Sequence, residues 1–190
     1  MSLESILDKG GFIVYILLGY SILGVAIALI KYYEFLKMGK TPKEEFSVES
    51  ETFRGPEMAV IRSLKESHEK GVKDLDDVAN RIKEKELDRL ENGLKSIAFL
   101  ANTAPLLGLL GTIIGMIQAF MVIEQNGGKV DSGVLAGGIW EAMLTTGVGL
   151  TVAIFLMLIL HHIEGLVDKR DKAMFHFASL FFEKTNISHR

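Results

Sequence analysis

Residues 97–123 read IAFLANTAPLLGLLGTIIGMIQAFMVI, without one charged side chain. As a helix rising 1.5 Å per residue, the stretch reaches roughly 40 Å, against about 30 Å of bilayer hydrocarbon. It is expected to span a membrane and project beyond it. Stepping about 100° per residue puts Ala101, Ala104, Pro105, Gly108, Thr112, Gly115 and Ala119 on one face. Helices in lipid gain little from apolar burial against one another and associate through close packing of small residues. This low-relief stripe therefore predicts a buried, protein-facing surface. Leu106, Leu107, Leu110, Ile113, Ile114, Ile117 and Phe120 are left for neighbouring helices and lipid, and Thr112 is the obvious polar group on the stripe.

Working outward, 48% of the 190 residues are hydrophobic and 24% charged, yet the charges avoid three long segments. Before the first of them, MSLESILDKG lacks the basic start and small-residue cleavage pattern of a secretory signal, so this end is expected to be retained. Residues 12–30, FIVYILLGYSILGVAIALI, form the first uncharged run, with Tyr32 and Tyr33 where an interfacial aromatic belt would lie. Lys31, Lys37, Lys40 and Lys43 follow at once, which predicts a cytosolic side there and an outside N-terminus.

The next stretch is charged in both signs, with Pro42 and Pro56 breaking its start. A helix is predicted from Pro56 to Lys70, stopped at Gly71. Another is predicted from Asp74 or Asp77 through RIKEKELDRLENGLK, where Ile82, Leu87, Leu90 and Leu94 give amphipathic spacing and i,i+4 charge pairs support the exposed face. After the central run, EQNGGKVDSG reads as a tight turn. The third span contains GGIWEAMLTTGVGLTVAIFLMLILHH, with Gly138, Ala142, Thr145, Thr146, Gly149 and Ala153 close together on the helical wheel. Lys169, Arg170 and Lys172 then return the chain to the cytosol, and HFASLFFEK is a short amphipathic piece that lies on the membrane surface or on the cytosolic bundle.

The expected organisation is a periplasmic N-terminus at 1–11, transmembrane helices at 12–36, 96–124 and 134–163, a cytosolic helical region at 37–95, a periplasmic turn at 125–133 and a cytosolic tail at 164–190. The fold class is all-α, with long second and third helices extending into a cytosolic helical bundle.

The absence of cysteine removes disulfides, thiolate metal sites and cysteine nucleophiles together. A net charge of -3 without a basic, aromatic-rich cluster argues against nucleic acid. Ionisable groups inside a membrane are expensive and usually functional, and Glu141 is the clear instance. Either it reaches interfacial water or it faces a hydrated ion path. His161 and His162 point about 100° apart on a helix, so with Glu164 they do not make a metal site. No metal or cofactor is expected. Thr112, Thr145 and Thr146 either bond back to their own helices or serve a protonatable group on another helix. Pro105 either kinks its helix or also frees a carbonyl towards the interior. No phosphate-binding glycine loop or nucleophile elbow suggests an enzyme.

The strings TAPLLGLLGTIIGMIQAF and GGIWEAMLTTGVGLTVAI resemble the two signature spans of the MotA/TolQ/ExbB proton channel family. The likeness extends to the order of span, charged stretch and hairpin. By that resemblance Thr112 and Thr146 match the family's pore threonines, Glu141 its pore glutamate and Pro105 its kink. Phe155 stands where the family commonly has proline, and Lys31 where a glutamate often precedes a basic residue. The resemblance implies a homo-oligomeric ring, five copies in relatives, in the bacterial inner membrane. Its pore holds a dimer of a single-span ExbD/TolR-type partner, with a TonB/TolA-type protein beyond it. Ala101, Ala104, Gly108, Gly115, Ala119, Gly138, Ala142, Gly149 and Ala153 would be the small pore-facing residues.

No acid lies at the middle of a span, so the relay's carboxylate is expected on the partner. The implied function is an ExbB-like proton-channel subunit energising outer-membrane transport. A TolQ-like role in envelope maintenance, a motility stator and a non-conducting scaffold are the alternatives.

Overall fold

The computed structural model describes residues 11–39, 55–127 and 132–185. Expectations for 1–10, for Lys40, Pro42 and Lys43, and for the middle of the turn at 128–131 lie outside the described residues. Within them the chain forms α1 (Gly11–Met38), α2 (Pro56–Glu69), α3 (Leu75–Glu91), α4 (Leu94–Gln125) and α5 (Ser132–Lys184). Three of these, α1, α4 and α5, are long and apolar enough to cross a membrane. Contacts divide the chain into an apolar unit, Met1–Ala28 with Lys95–Leu160, and a charged unit, Leu29–Leu94 with His161–Arg190.

In the apolar unit α4 and α5 run antiparallel. Gly138 meets Ala119, Gly115 meets Ala142, Gly111 meets Thr145, and Gly149 meets Gly108 and Ala104 in succession. Along α5 lies α1 in the parallel sense, since Gly11 approaches Glu141 and Gly24 approaches Leu156. Ile13 and Leu17 of α1 are buried with Ala104 and Ala153, against half-buried Tyr20, Leu107, Val148 and Val152.

The charged unit is built from signals legible in its sequence. Pro56 sits in the first turn of α2, where its missing N–H costs nothing, and α2 ends before Gly71, whose φ of +73° suits glycine. Asp74 caps α3 by accepting from the Asp77 N–H at 3.0 Å. Val60, Leu64, Leu75, Val78 and Ala79 form one core with Met174, Ala178, Phe181 and Phe182. Of the two placements expected for the tail, on the membrane surface or on the cytosolic bundle, the second holds, and its apolar side chains are part of the bundle core. It is also continuous with the third span, because α5 is a single helix of 53 residues. The double histidine and Gly165 look like an ending, but the apolar stripe at Ile163, Val167, Met174, Phe177 and Phe181 carries the helix on.

An i,i+4 pair occurs on α2, where Lys70 donates to Glu66 at 2.5 Å and holds that carboxyl below its usual range, first by the hydrogen bond and then by its charge. On α3 Glu86 pairs with Arg89 at i,i+3, and Lys83 reaches Asp171 of α5 at 3.1 Å.

Candidate functional site

The small residues of α4 and α5 are the ones that let the two backbones touch. A Cβ at Gly149 would stand 2.7 Å from the carbonyl oxygen of Ala104 and 3.0 Å from Cα of Gly108. One at Gly108 would stand 3.0 Å from the Thr145 carbonyl oxygen, and one at Gly138 would stand 2.5 Å from Cβ of Ala119. Ala101, Ala104, Ala119, Ala142 and Ala153 are all buried. The stripes expected to face a pore thus meet each other within one chain. The physical reason is that a low-relief face is most useful where another equally low face can reach it, and the hairpin brings its own second arm there.

Gly111 belongs to this seam and was not picked out by the wheel; a Cβ there would be 2.5 Å from Oγ1 of Thr145. The Gly111-xxx-Gly115 spacing in an apolar run was the available signal.

Hydroxyls punctuate the seam. Thr145 is buried and donates to its own Ala142 carbonyl at 2.8 Å, with the Gly108 carbonyl 3.4 Å away. Thr146 makes no such back-bond among those recorded and instead donates across the hairpin to the same Gly108 carbonyl at 3.1 Å. Thr112 bonds back to Leu109 at 2.7 Å. Of the three, only Thr146 commits its hydroxyl mainly to the other helix. Pro105 lies inside unbroken α4, so the Ala101 carbonyl receives no N–H from residue 105.

The hairpin has two unlike flanks. On one lies α1, whose Ile13 and Leu17 are buried in a cluster with Ala104 and Ala153 against which Leu107 of α4 and Val148 and Val152 of α5 pack. Thr112 is five residues beyond Leu107, about 140° round its helix, and so turns to the other flank. Glu141 shares a face with Val148, and it too meets α1, at Gly11. Thr146 is five residues from Glu141, again about 140° away. Pro105, Thr112 and Thr146 therefore share the flank that α1 leaves uncovered, and all three are half-buried. Glu141, which the resemblance matches to the family's pore glutamate, turns towards Gly11 of α1.

His161, His162 and Glu164 are exposed. Among the described residues no group of three or more histidine, aspartate or glutamate side chains is gathered to hold a metal ion.

In the charged unit two buried cations carry more than topology. Arg170 donates to Glu57 at 3.0 Å and also to the Gly39 carbonyl, with 4% and 1% of the two charged side chains exposed. Lys31 donates to Glu34 at 3.0 Å and to the Arg89 carbonyl at 3.2 Å. From sequence Arg170 reads as a positive charge flanking a span, and Lys31 as that and as a departure from the family's pattern. The missed signal is that Arg170 falls on the stripe of Val167, Met174 and Phe177, where an unpaired charge would be costly.

Residues 52–175 match the family described as the MotA/TolQ/ExbB proton channel family. An ExbB homologue of Methanothermobacter thermautotrophicus, described as a biopolymer transport protein, is 29% identical over 176 residues, covering 84% of this chain and 62% of that protein. A biopolymer transport protein of Synechocystis described as ExbB-like is 37% identical over 99 residues, covering 51% of this chain and 38% of that one. The Tol-Pal system protein TolQ of Haemophilus influenzae is 30% identical over 111 residues, covering 58% and 47% respectively. The chain spans less than two thirds of the length of each of these relatives.

Proposed function

The chain belongs to the MotA/TolQ/ExbB proton channel family, and on that premise we propose that it is an ExbB-type proton-channel subunit of an inner-membrane motor. Its N-terminus lies outside and its C-terminus in the cytosol, a topology supported by the lysines after α1 and the basic run in α5. Five copies form a ring around a dimer of a single-span partner of the ExbD/TolR type, which hands motion to a TonB/TolA-type protein and so energises outer-membrane transport.

The observation that carries this reading is the uncovered flank bearing Pro105, Thr112 and Thr146. Hydroxyls there can donate to or accept from a carboxylate on an approaching helix. The described spans hold no acid among these threonines, so that carboxylate comes from the partner. A proton crossing the membrane releases about 2.3 kcal/mol per 100 mV. Neutralising the carboxylate would free it from a threonine, and ionising it would hold it there again.

The alternative of a TolQ-type role is favoured by the Haemophilus relative. We prefer the ExbB type because an ExbB-named relative aligns over 84% of the chain against 58% for the TolQ. Identification of the single-span partner that copurifies separates the two.

Thr146→Val is the direct test. The bond to Gly108 is one interhelical hydrogen bond, worth about 0.6 kcal/mol on average in membrane proteins, so the hairpin and its assembly should survive. Proton flux through reconstituted subunit and partner should be abolished. Undiminished flux in an intact Thr146→Val assembly would remove the proposed role.

A further inference from the structure

The last turn of α3 is completed by a side chain from another helix. The final carbonyls of a helix have no N–H partner within it and carry the negative end of its dipole. At the end of α3 the Asp88 carbonyl still accepts from the Asn92 N–H at 3.0 Å. One residue further the ladder stops, because Gly93 takes a φ of +90° and α4 begins at Leu94. Among the described residues no backbone N–H reaches the Arg89 carbonyl. The ammonium of Lys31 does, donating to it at 3.2 Å.

Lys31 is the first charged residue after the uncharged run of α1, and of the charged residues in that helix it is the buried one, at 8% exposure. A lysine at a membrane margin ordinarily extends its ammonium into water. This one is turned onto protein instead, towards the Arg89 carbonyl and towards Glu34 at 3.0 Å. Glu34 lies 3.7 Å from Nε of Arg89, whose guanidinium is in turn 3.6 Å from Glu86. Those outer pairs are long and the Arg89 side chain is 64% exposed, so water competes for them. The contact of Lys31 with the helix end is the sheltered member of the group. A carboxylate at position 31 could not make it, since an ionised acid only accepts.

We infer that Lys31 is a strap: its ammonium closes the open end of α3 and holds the Asn92–Gly93 joint, where the chain passes from the charged bundle into α4, against α1. The inference goes beyond the channel reading and does not rest on it, since a non-conducting assembly would need the same joint held.

Hydrogen exchange of the full chain, assembled with its partner in membranes, reads the strap in peptides covering residues 86–94. Lys31→Met keeps the apolar stem and removes the donor. Exchange there should rise about tenfold, as expected when a partly buried helix end loses its cation. Glu34→Gln removes the ion pair but leaves the ammonium on the Arg89 carbonyl, and exchange should stay close to that of the unsubstituted protein. Lys37→Met, which removes an exposed cation of the same helix, is the control and should also leave it unchanged. Should Lys31→Met fail to assemble, Lys31→Gln, polar but without a cation, takes its place under the same outcomes.

Unchanged exchange on loss of the Lys31 ammonium overturns the inference. A rise in Glu34→Gln equal to that in Lys31→Met does so too, because the ion pair and not the helix end would then be what matters. An equal rise in Lys37→Met would reduce the effect to net charge and has the same consequence. Loss of flux in Thr146→Val leaves exchange at 86–94 untouched, which keeps the failure of one reading distinct from the failure of the other.

Discussion

Glu57→Ala is expected to destabilise the charged helical bundle by about 3–5 kcal/mol, the range for removing one partner of a buried ion pair. The Glu57 and Arg170 side chains are 1% and 4% exposed and lie 3.0 Å apart, so little water can replace the lost carboxylate. Arg170 would keep its bond to the Gly39 carbonyl, but a guanidinium with one neutral acceptor remains a charge taken out of water. The other Glu57 oxygen, Oε2, is buried with no recorded hydrogen-bond partner, so the pair is itself an imperfectly satisfied arrangement. Replacing both partners, Glu57→Leu with Arg170→Met, should consequently recover most of the loss, because a well-packed apolar pair is often as stable as a buried ion pair. Thermal unfolding of the detergent-solubilised protein, followed by helical circular dichroism, distinguishes the cases. A loss below about 1 kcal/mol in the single variant would mean that the pair behaves as a hydrated surface bridge.

That pair also marks where the sequence stopped being readable. The three long helices were legible because charge is nearly absent from them, and the starts of α2 and α3 because Pro56 and Asp74 are local signals that need no tertiary partner. Arg170 was equally visible but ambiguous. A cation a few residues beyond a span satisfies the topology rule whether it is solvated or buried, and only the position of Glu57, 113 residues earlier, decides which. The length of α5 was half legible for a similar reason. His161, His162 and Gly165 argue for an end, whereas Met174, Phe177 and Phe181 need a core to bury them, and the core is supplied by α2 and α3.

The small residues teach the same lesson within the membrane part. Their spacing identified the faces of close approach, because a stripe of glycine and alanine has few other uses in an apolar helix. What the spacing could not identify was the occupant. Periodicity reports which side of a helix is smooth and is silent on whether the next helix belongs to the same chain, another copy or a different protein. Once the two faces are seen to meet, the threonines at their margins separate by flank. Thr112 and Thr146 turn away from α1, while Glu141 turns towards it, a distinction set by the position of a third helix.

Gly149→Ala, a change of one methyl group, should cost the hairpin about 1–3 kcal/mol, the usual penalty for overpacking a close contact. The added carbon would lie 2.7 Å from the Ala104 carbonyl oxygen, 3.0 Å from Gly108 Cα and 3.2 Å from the Gly108 nitrogen. All three are backbone atoms of α4, so no rotamer change can relieve the clash and the helices must separate locally. Separation would also stretch the Thr146 bond to the Gly108 carbonyl, which already stands at 3.1 Å. Gly147→Ala is the matched control. It lies two residues away on the same helix with no atom within 4 Å of the new methyl group, and alanine is the better helix former by about 1 kcal/mol in water. The expected order of thermal stability is therefore Gly147→Ala at or above the unsubstituted protein and Gly149→Ala clearly below it. Proton flux should fall with Gly149→Ala as well, because the threonine flank is framed by the same backbone contact. Equal stability of the two variants would show that α4 and α5 do not approach as closely as the seam requires, and the flank built on that approach would lose its footing.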